Sequence, residues 1–266
     1  MPDLVLLDVA DNIATVTVNR PERGNSLSIE LLAELRTVLR EIDARSDVRV
    51  VIFRGAEGKN FSSGFDFTQI LTTDSDVFDD SKPVTKSDDG IDATMSLVAA
   101  CHAPTIAMVQ GMAVGTGCEL AATCDLRLAA TGAVFGMPPA RLGILYSQAA
   151  IGMYLNLLGP AATKEIFFSG RRLKADRALA IGLVNAVFPE DQLEDQVYGL
   201  AREIAANAPL AVQGTKRIIQ QLRPARGPEV PTPEMQALLD GAWGSADLRE
   251  GVKSLLEKRR PVYQGR

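Results

Sequence analysis

A single carboxylate stands out in the middle of the chain. Glu119 is the only charged side chain between Ile106 and Cys124, in a stretch otherwise made of apolar, small and uncharged residues. A carboxylate in such surroundings is expected to lose water on folding, which raises its pKa and suits it to proton transfer near neutral pH. The structural alternative is an acid in the first turn of a helix, stabilised by the helix dipole.

Two glycine-containing turns, residues 55–64 and 111–117, each follow a buried apolar run. Glycine lets the backbone turn tightly and lets its N–H groups approach a ligand closely. If the two turns converge, they supply two N–H donors to one oxygen, the arrangement that stabilises an enolate or a tetrahedral oxyanion. Glycine turns often serve only to reverse the chain, so the spacing alone leaves both interpretations open.

Other catalytic chemistries have few residues to use. His102 is the single histidine, so a Ser-His-Asp or Cys-His mechanism would have to run through it alone. No histidine and cysteine set has the spacing of zinc ligands. The three cysteines cannot all pair with one another, which favours reduced thiols in a cytoplasmic protein; they are Cys101, Cys118 and Cys124.

Composition excludes several classes of protein. The 266 residues are 46% hydrophobic and 23% charged, which is ordinary for a globular protein and disfavours disorder. A net charge of −5 disfavours nucleic acid as a partner. The N-terminus carries acids where a signal peptide needs basic residues. The longest weakly charged stretch is too often interrupted by polar residues and glycines to cross a membrane.

The pattern of apolar residues predicts an α/β protein. Residues 4–9 and 13–18 form a predicted hairpin, followed by a helix that Ser28 caps. Buried strands are predicted at 48–53, 104–109 and 126–129, and a helix at 91–100. Residues 72–89 are polar and predict a mobile surface loop without metal-ligand spacing. From about residue 151 the chain is predicted to be mostly helical.

Several longer motifs follow one another in a recognisable order. Residues 19–28 (NRPERGNSLS), 61–66 (FSSGFD) and 109–127 resemble, in turn, the opening motif and the two oxyanion motifs of the enoyl-CoA hydratase/isomerase (crotonase) superfamily. Residues 171–185 and 249–259 resemble its middle and C-terminal segments. Each motif alone is weak, but together they are specific and cover nearly the whole chain.

The resemblance implies a fold and a substrate class. It implies a spiral of ββα units over residues 1–200 and a helical C-terminal trimerisation region over 201–266, usually assembled as a trimer or a dimer of trimers. The substrate would be an acyl-CoA thioester, with coenzyme A as part of the substrate, no further cofactor and no metal. Neither a membrane nor a nucleic acid is an expected partner.

The resemblance also implies site residues. The N–H groups of Phe65 and Thr116 would hold the thioester oxygen, and Glu119 would be the acid/base. Lys216 and Lys258 would meet the phosphates of coenzyme A. Further residues would lie along the substrate and its coenzyme A moiety; they are Arg23, Ser62, Ser63, Gly64, Asp66 and Gly115.

Two departures from the family pattern bear on the reaction. The second glutamate of the hydratases would fall twenty positions after Glu119, where this chain has Pro139. Tyr146 resembles a tyrosine of the methylmalonyl-CoA decarboxylase branch, although that branch has a histidine where this chain has Phe65. An ordinary core or interface phenol is the alternative for Tyr146, and His102 is assigned no catalytic role.

The expected function is an enzyme that stabilises a thioester enolate, with Glu119 as its single acid/base and Tyr146 as a pocket partner. Proton transfer in isomerisation, or protonation after decarboxylation, suits one carboxylate better than water addition does. The alternatives are a methylmalonyl-CoA-decarboxylase-like lyase and a conventional enoyl-CoA hydratase. A non-catalytic acyl-CoA-binding or RNA-binding relative is a further alternative, and the acidic charge disfavours RNA.

Overall fold

The computed structural model describes residues 3–66, 90–222 and 232–265. The loop predicted at 72–89 lies outside the described residues. The strands are β1 (Val5–Ala10), β2 (Ile13–Val18), β3 (Val50–Gly55), β4 (Thr105–Val109), β5 (Met112–Val114), β6 (Leu126–Ala130), β7 (Val134–Gly136), β8 (Leu173–Lys174) and β9 (Ala186–Phe188).

The helices of the described residues are α1 (Ile29–Asp43), α2 (Ile91–Ala100), α3 (Thr116–Thr123), α4 (Gln148–Ser169), α5 (Ala175–Ala180), α6 (Leu193–Ala206), α7 (Pro209–Leu222), α8 (Pro233–Trp243) and α9 (Ala246–Leu256). A short 3-10 helix, Pro139–Leu142, precedes α4.

The larger sheet lies between two hydrophobic cores. Its order is β1-β2-β3-β4-β6-β9, with β1 and β2 antiparallel and the later neighbours parallel. Side chains alternate across β3, so Val51 and Phe53 face one core while Val50 and Ile52 face the other, which α6 covers. The continuous apolar run at 48–53 therefore reflects burial on both faces, as predicted.

The spiral arises because successive segments add to two sheets in turn. After β4 joins the larger sheet, β5 joins the small sheet β5-β7-β8, and β6 and β7 repeat the step. The segment after β3 takes the same path, since Ser62 forms a parallel bridge to Ala113. Each turn of the spiral thus places one segment beside those of the previous turn. The sequence-based prediction of a simple turn at 111–117 missed β5.

Helix α1 begins where its sequence predicts. Ser28 accepts a hydrogen bond from the N–H of Leu31 at 3.2 Å and so caps the helix. Its buried face is apolar and consists of Leu31, Leu32, Leu35, Leu39 and Ile42. Helix α2 has the predicted bounds.

Helices α6 and α7 meet the core in different ways. Helix α6 runs through residue 200, the proposed boundary between core and C-terminal region, and its buried side chains cover the larger sheet. Helix α7 buries only Lys216, whose ammonium group donates to the Ala103 carbonyl at 2.8 Å and pairs with Asp125 at 2.7 Å. Lys216 therefore fixes α7 to the sheet and does not face a coenzyme A phosphate, which corrects the expectation for this residue.

The C-terminal helices fold back over the turn before α4. Gly143 lies so close to Leu248 of α9 that a β-carbon on it would be 2.7 Å from that residue's backbone. The Tyr263 hydroxyl donates to the Arg141 carbonyl at 2.5 Å. The predicted helical C-terminal region is thus present, and it packs on residues 139–143. Within the described residues, none of the helices combines the length and the apolar character that a membrane crossing requires.

Candidate active site

The two glycine turns lie side by side. The N–H of Ser62 donates to the Met112 carbonyl at 2.9 Å, and the N–H of Val114 donates to the Ser62 carbonyl at 3.1 Å. These are the bonds of a parallel ladder, so the turn after β3 is held in register against β5. The convergence that the sequence left open is present in the structure.

The approach is close enough to require glycine at two positions. Gly64, with φ of 105°, would place a β-carbon 2.7 Å from the Val114 carbonyl oxygen. A β-carbon on Gly117 would lie 2.6 Å from the backbone oxygen of Ser62. Real β-carbons do not approach other atoms this closely, so any side chain at either position would force the two turns apart.

Phe65 is aligned by hydrogen bonds on both sides of it. The N–H of Leu27 donates to the Gly64 carbonyl at 2.8 Å, and the N–H of Asp66 donates to the Leu27 carbonyl at 2.9 Å. In such a parallel bridge the groups of the central residue point away from the bridging strand. The N–H of Phe65 is therefore directed away from Leu27.

Thr116 is the first residue of α3. The first N–H groups of a helix have no acceptor within it and carry the positive end of its dipole. Gly115 precedes it with φ of 54° and ψ of −127°, and its own N–H donates to the Gly136 carbonyl at 2.8 Å. The small sheet thus fixes the point at which α3 begins.

One cavity of about 610 Å³ collects most of the predicted residues. Phe65, Thr116, Glu119 and Tyr146 all line it, and so do five of the six residues expected along the substrate. The exception is Ser62, which is fully buried and whose hydroxyl accepts a hydrogen bond from the N–H of Gly64 at 3.2 Å. Ser62 shapes the turn instead of lining the cavity.

Glu119 reaches the cavity from a helix that is otherwise enclosed. All eight residues of α3 are buried, and Glu119, which is 2% exposed, is the only acid among them. It lies one turn after Thr116, so the carboxyl group and the Thr116 N–H reach the cavity from the same end of the helix. Both residues line the same cavity.

The far end of α3 is fixed by Arg127. This buried guanidinium donates to the carbonyls of Ala122 and Cys124, at the end of the helix, and to that of Leu183 at 2.7 Å. A cation at a helix C-terminus also complements the negative end of the dipole. Arg127 therefore holds the helix that carries Thr116 and Glu119.

Besides the carboxyl group of Glu119, α3 carries the thiol of Cys118. It is fully buried, and burial raises the pKa of its thiol to about 11. The sulfur therefore stays protonated near neutral pH, and a thiol is a poor nucleophile. The acid of α3 that lines the cavity is Glu119.

Tyr146 stands beside the second turn. Its hydroxyl lies 3.7 Å from the position that a β-carbon on Gly115 would occupy, and its ring packs edge-on against Phe167 with 5.8 Å between ring centres. The phenol therefore faces the cavity next to the start of α3. Tyr146 also packs against the hydrophobic core, so its role as a pocket partner stays a prediction beside the alternative of a core phenol.

The first turn is tied to the opening motif by an ion pair. Asp66 lies 3.0 Å from the guanidinium of Arg20, and both side chains are largely buried. Arg20 also donates to the Ser26 carbonyl at 3.1 Å. Asp66 thus orients the first turn, in addition to lining the cavity.

His102 lies away from the cavity. Its Nδ1 is 3.0 Å from an Asp43 carboxylate oxygen, and its Nε2 is 3.2 Å from the Val48 carbonyl oxygen. Cys101 is close enough to join Asp43 and His102 around a metal ion. However, both ring nitrogens already have hydrogen-bonding partners. His102 therefore connects the end of α1 to the residues just before β3.

Sequence reasoning missed part of the cavity wall. Asp92, in the first turn of α2, and Ser147, which caps α4, both line it, and the Ser147 hydroxyl donates to an Asp92 carboxylate oxygen at 3.0 Å. Trp243 also lines the cavity and was not predicted, whereas Lys258, which lines it from the C-terminal region, was predicted to meet the phosphates of coenzyme A. Asp92 and Ser147 are of the residue types that occur at helix starts, but the sequence does not show that these two helix starts lie close together.

Comparison with known proteins gives this site its context. A family model described as enoyl-CoA hydratase/isomerase matches residues 8–266. The chain belongs to this family.

Relatives in the family carry several activities. Over 270 residues the chain is 35% identical to a putative enoyl-CoA hydratase/isomerase, YngF, of Bacillus subtilis, and all of both chains is covered. It is 32% identical to a short-chain-enoyl-CoA hydratase of Clostridium acetobutylicum, covering 96% of this chain and 95% of that protein. A solved methylmalonyl-CoA decarboxylase in complex with 2-nitronate-propionyl-CoA superposes with a TM-score of 0.86 at 26% identity, covering 99% of both chains. The expected crotonase fold is confirmed.

Pro139 stands twenty positions after Glu119, where the resemblance led us to expect the second glutamate of the hydratases. It begins the 3-10 helix before α4 and lines the cavity. At this point, therefore, the cavity wall carries a proline and not an acid.

We expect Gly117→Ala to lower the free energy of unfolding by about 1–3 kcal/mol, because the new methyl group would collide with the backbone of Ser62. Urea denaturation measures the change. Alanine normally stabilises a helix relative to glycine, so the sign of the effect is informative. The control is Gly199→Ala in α6, where a β-carbon meets nothing within 4 Å and no loss is expected. Equal stability of the two variants would contradict the close approach of the turns.

Proposed function

We propose that this protein transfers a proton at the carbon next to the carbonyl of an acyl-CoA thioester and holds the resulting enolate with the N–H groups of Phe65 and Thr116. The observation that carries the proposal is that these residues and Glu119 line one cavity, on two turns that the backbone holds in contact. Membership of the enoyl-CoA hydratase/isomerase family supports an acyl-CoA substrate.

The chemistry explains why two N–H donors matter. Removing a proton from the α-carbon moves negative charge onto the thioester oxygen, which becomes a stronger acceptor than it was in the ground state. Donors already aimed at that oxygen stabilise the enolate without reorganising, and one such donor contributes about 10²–10³ to kcat. The N-terminus of α3 adds its dipole in the same direction.

Glu119 is the proposed acid/base. It is enclosed, it lies one turn from Thr116, and its neighbour Cys118 remains a thiol. As a carboxylate it takes the α-proton, and as a carboxylic acid it returns a proton to the α-carbon. The reaction needs no cofactor beyond the coenzyme A that the substrate carries.

The remaining cavity residues are proposed to bind coenzyme A. Ser63 and Gly64 line the cavity beside Phe65, and the Ser63 hydroxyl donates to the Arg23 carbonyl at 3.3 Å, which keeps Arg23 near the same turn. Arg23 and Lys258 are the basic side chains of the described cavity wall and are proposed to meet the phosphates. Gly115 and Asp66 would lie along the thioester.

A decarboxylase-like lyase is a second candidate. The superposition on methylmalonyl-CoA decarboxylase favours it, as does the position of Tyr146 beside the start of α3. Loss of carbon dioxide from a malonyl-type thioester breaks the bond to the carboxyl carbon and leaves its electron pair in the same enolate. Protonated Glu119 would then give its proton to the α-carbon.

The assembly proposed for the chain is a homotrimer or a dimer of trimers, in the cytoplasm. Helix α7 turns apolar side chains outward while burying only Lys216. A second copy of the chain would cover this surface, which is formed by Leu210, Ile218, Ile219 and Leu222. The three buried, free cysteines support a reducing compartment.

We expect Glu119→Gln to slow exchange of the α-protons of butyryl-CoA in deuterated water by about 10²–10⁴-fold, because glutamine cannot accept the proton. Nuclear magnetic resonance of the thioester measures the exchange. Glu203→Gln, an exposed acid on α6, is the control and should exchange at the wild-type rate. An unchanged rate in Glu119→Gln would remove Glu119 from the reaction.

Mass spectrometry of a panel of saturated, enoyl and malonyl-type CoA esters separates the candidate reactions. We expect products of α-carbon chemistry, either a moved double bond or an incorporated solvent proton. Release of carbon dioxide from methylmalonyl-CoA, slowed in Tyr146→Phe, would instead establish the lyase. If no ester in the panel reacts or exchanges protons, the proposed function is wrong.

A further inference from the structure

The described cavity wall contains a third carboxylate besides those of Glu119 and Asp66. Asp66 is committed to its ion pair with Arg20 at 3.0 Å. Asp92 reaches the cavity from the first turn of α2, a helix that packs on α3. Besides Glu119, the cavity therefore contains an acid at a position far from Pro139 in the sequence.

A hydroxyl group orients the Asp92 carboxylate. The Ser147 oxygen accepts a hydrogen bond from the N–H of Ala150 at 3.2 Å, as the cap of α4. A serine hydroxyl carries one proton, and Ser147 donates it to an Asp92 carboxylate oxygen at 3.0 Å. Asp92 is thereby held by a residue that the start of α4 fixes in place.

The two acids differ in their access to water. Glu119 is 2% exposed, whereas Asp92 lines the same cavity and is exposed. Addition of water to an enoyl thioester needs one group that takes a proton from water and another that gives a proton to the α-carbon. The accessible acid suits the first task, and the enclosed acid beside Thr116 suits the second.

We propose that Asp92 is the second acid/base of this site and enables water addition to α,β-unsaturated acyl-CoA thioesters, although Pro139 replaces the usual partner of Glu119. The inference rests on the proposed function, because it uses the same enolate. Asp92 takes a proton from water as the water oxygen bonds to the β-carbon. The electron pair of the double bond moves to the thioester oxygen, and protonated Glu119 then gives its proton to the α-carbon.

Asp92→Asn tests the inference. Hydration of crotonyl-CoA, followed by loss of enoyl absorbance, should fall by about 100-fold or more in kcat, with KM within about threefold, because the amide cannot accept the proton. Exchange of the α-protons of butyryl-CoA should fall at least tenfold less than hydration does, since that exchange uses Glu119, which is unchanged. Asp195→Asn, an exposed acid on α6, is the matched control and should hydrate normally.

Two further variants guard against a purely structural effect. Ser147→Thr keeps the hydroxyl and should retain hydration, whereas Ser147→Ala should slow it. Asp92→Gly should be inactive in hydration and should recover part of its rate when formate is added, because formate can replace the missing carboxylate in an accessible cavity. A structural defect would not respond to formate.

The possible results separate the inference from the proposed function. Normal hydration by Asp92→Asn overturns the inference, and so does α-proton exchange by a wild-type enzyme that adds no water to crotonyl-CoA. Both leave the proposed function standing. Wild-type enzyme that shows no α-proton exchange overturns the proposed function itself, whatever Asp92 does.

Discussion

The close approach of two backbone segments is the constraint on which this site depends. Hydrogen bonds between Ser62 and β5 bring the two turns together, and Gly64 and Gly117 leave the room that this requires. The proposed binding of one substrate oxygen by two N–H groups more than fifty residues apart in the sequence requires this spacing. The spiral fold supplies the spacing, because each of its turns lays a segment beside the one before.

The charged and dipolar groups around the two turns are also held in fixed positions. Helix α3 begins at the second turn, so the positive end of its dipole lies at Thr116, which lines the cavity, while Arg127 complements the other end of the helix. The Asp66–Arg20 pair fixes the first turn. An oxyanion placed between the turns would meet groups whose positions are set before the substrate arrives, which is the condition for strong electrostatic stabilisation.

Much of the site was readable from the sequence because it depends on local patterns. Glu119 stood out as a lone charge, and the bounds of α2 and the cap of α1 followed from local signals. The three-residue strands β5 and β7 were missed, since runs so short between glycines look like turns. Lys216 was misassigned because a sequence does not show that a lysine on an amphipathic helix faces inward, and Asp92 was missed because only tertiary packing brings α2 to the start of α4.

The central claim is best tested by the ¹³C resonance of the thioester carbonyl in a bound, carbonyl-labelled acyl-CoA. Two N–H donors on the oxygen polarise the carbonyl, so binding to the wild-type protein should move the resonance downfield. Thr116→Pro removes one donor at the first position of a helix, where proline is tolerated, and should reduce the downfield shift. A resonance that is the same in wild type and Thr116→Pro, or that does not move on binding, would contradict the account.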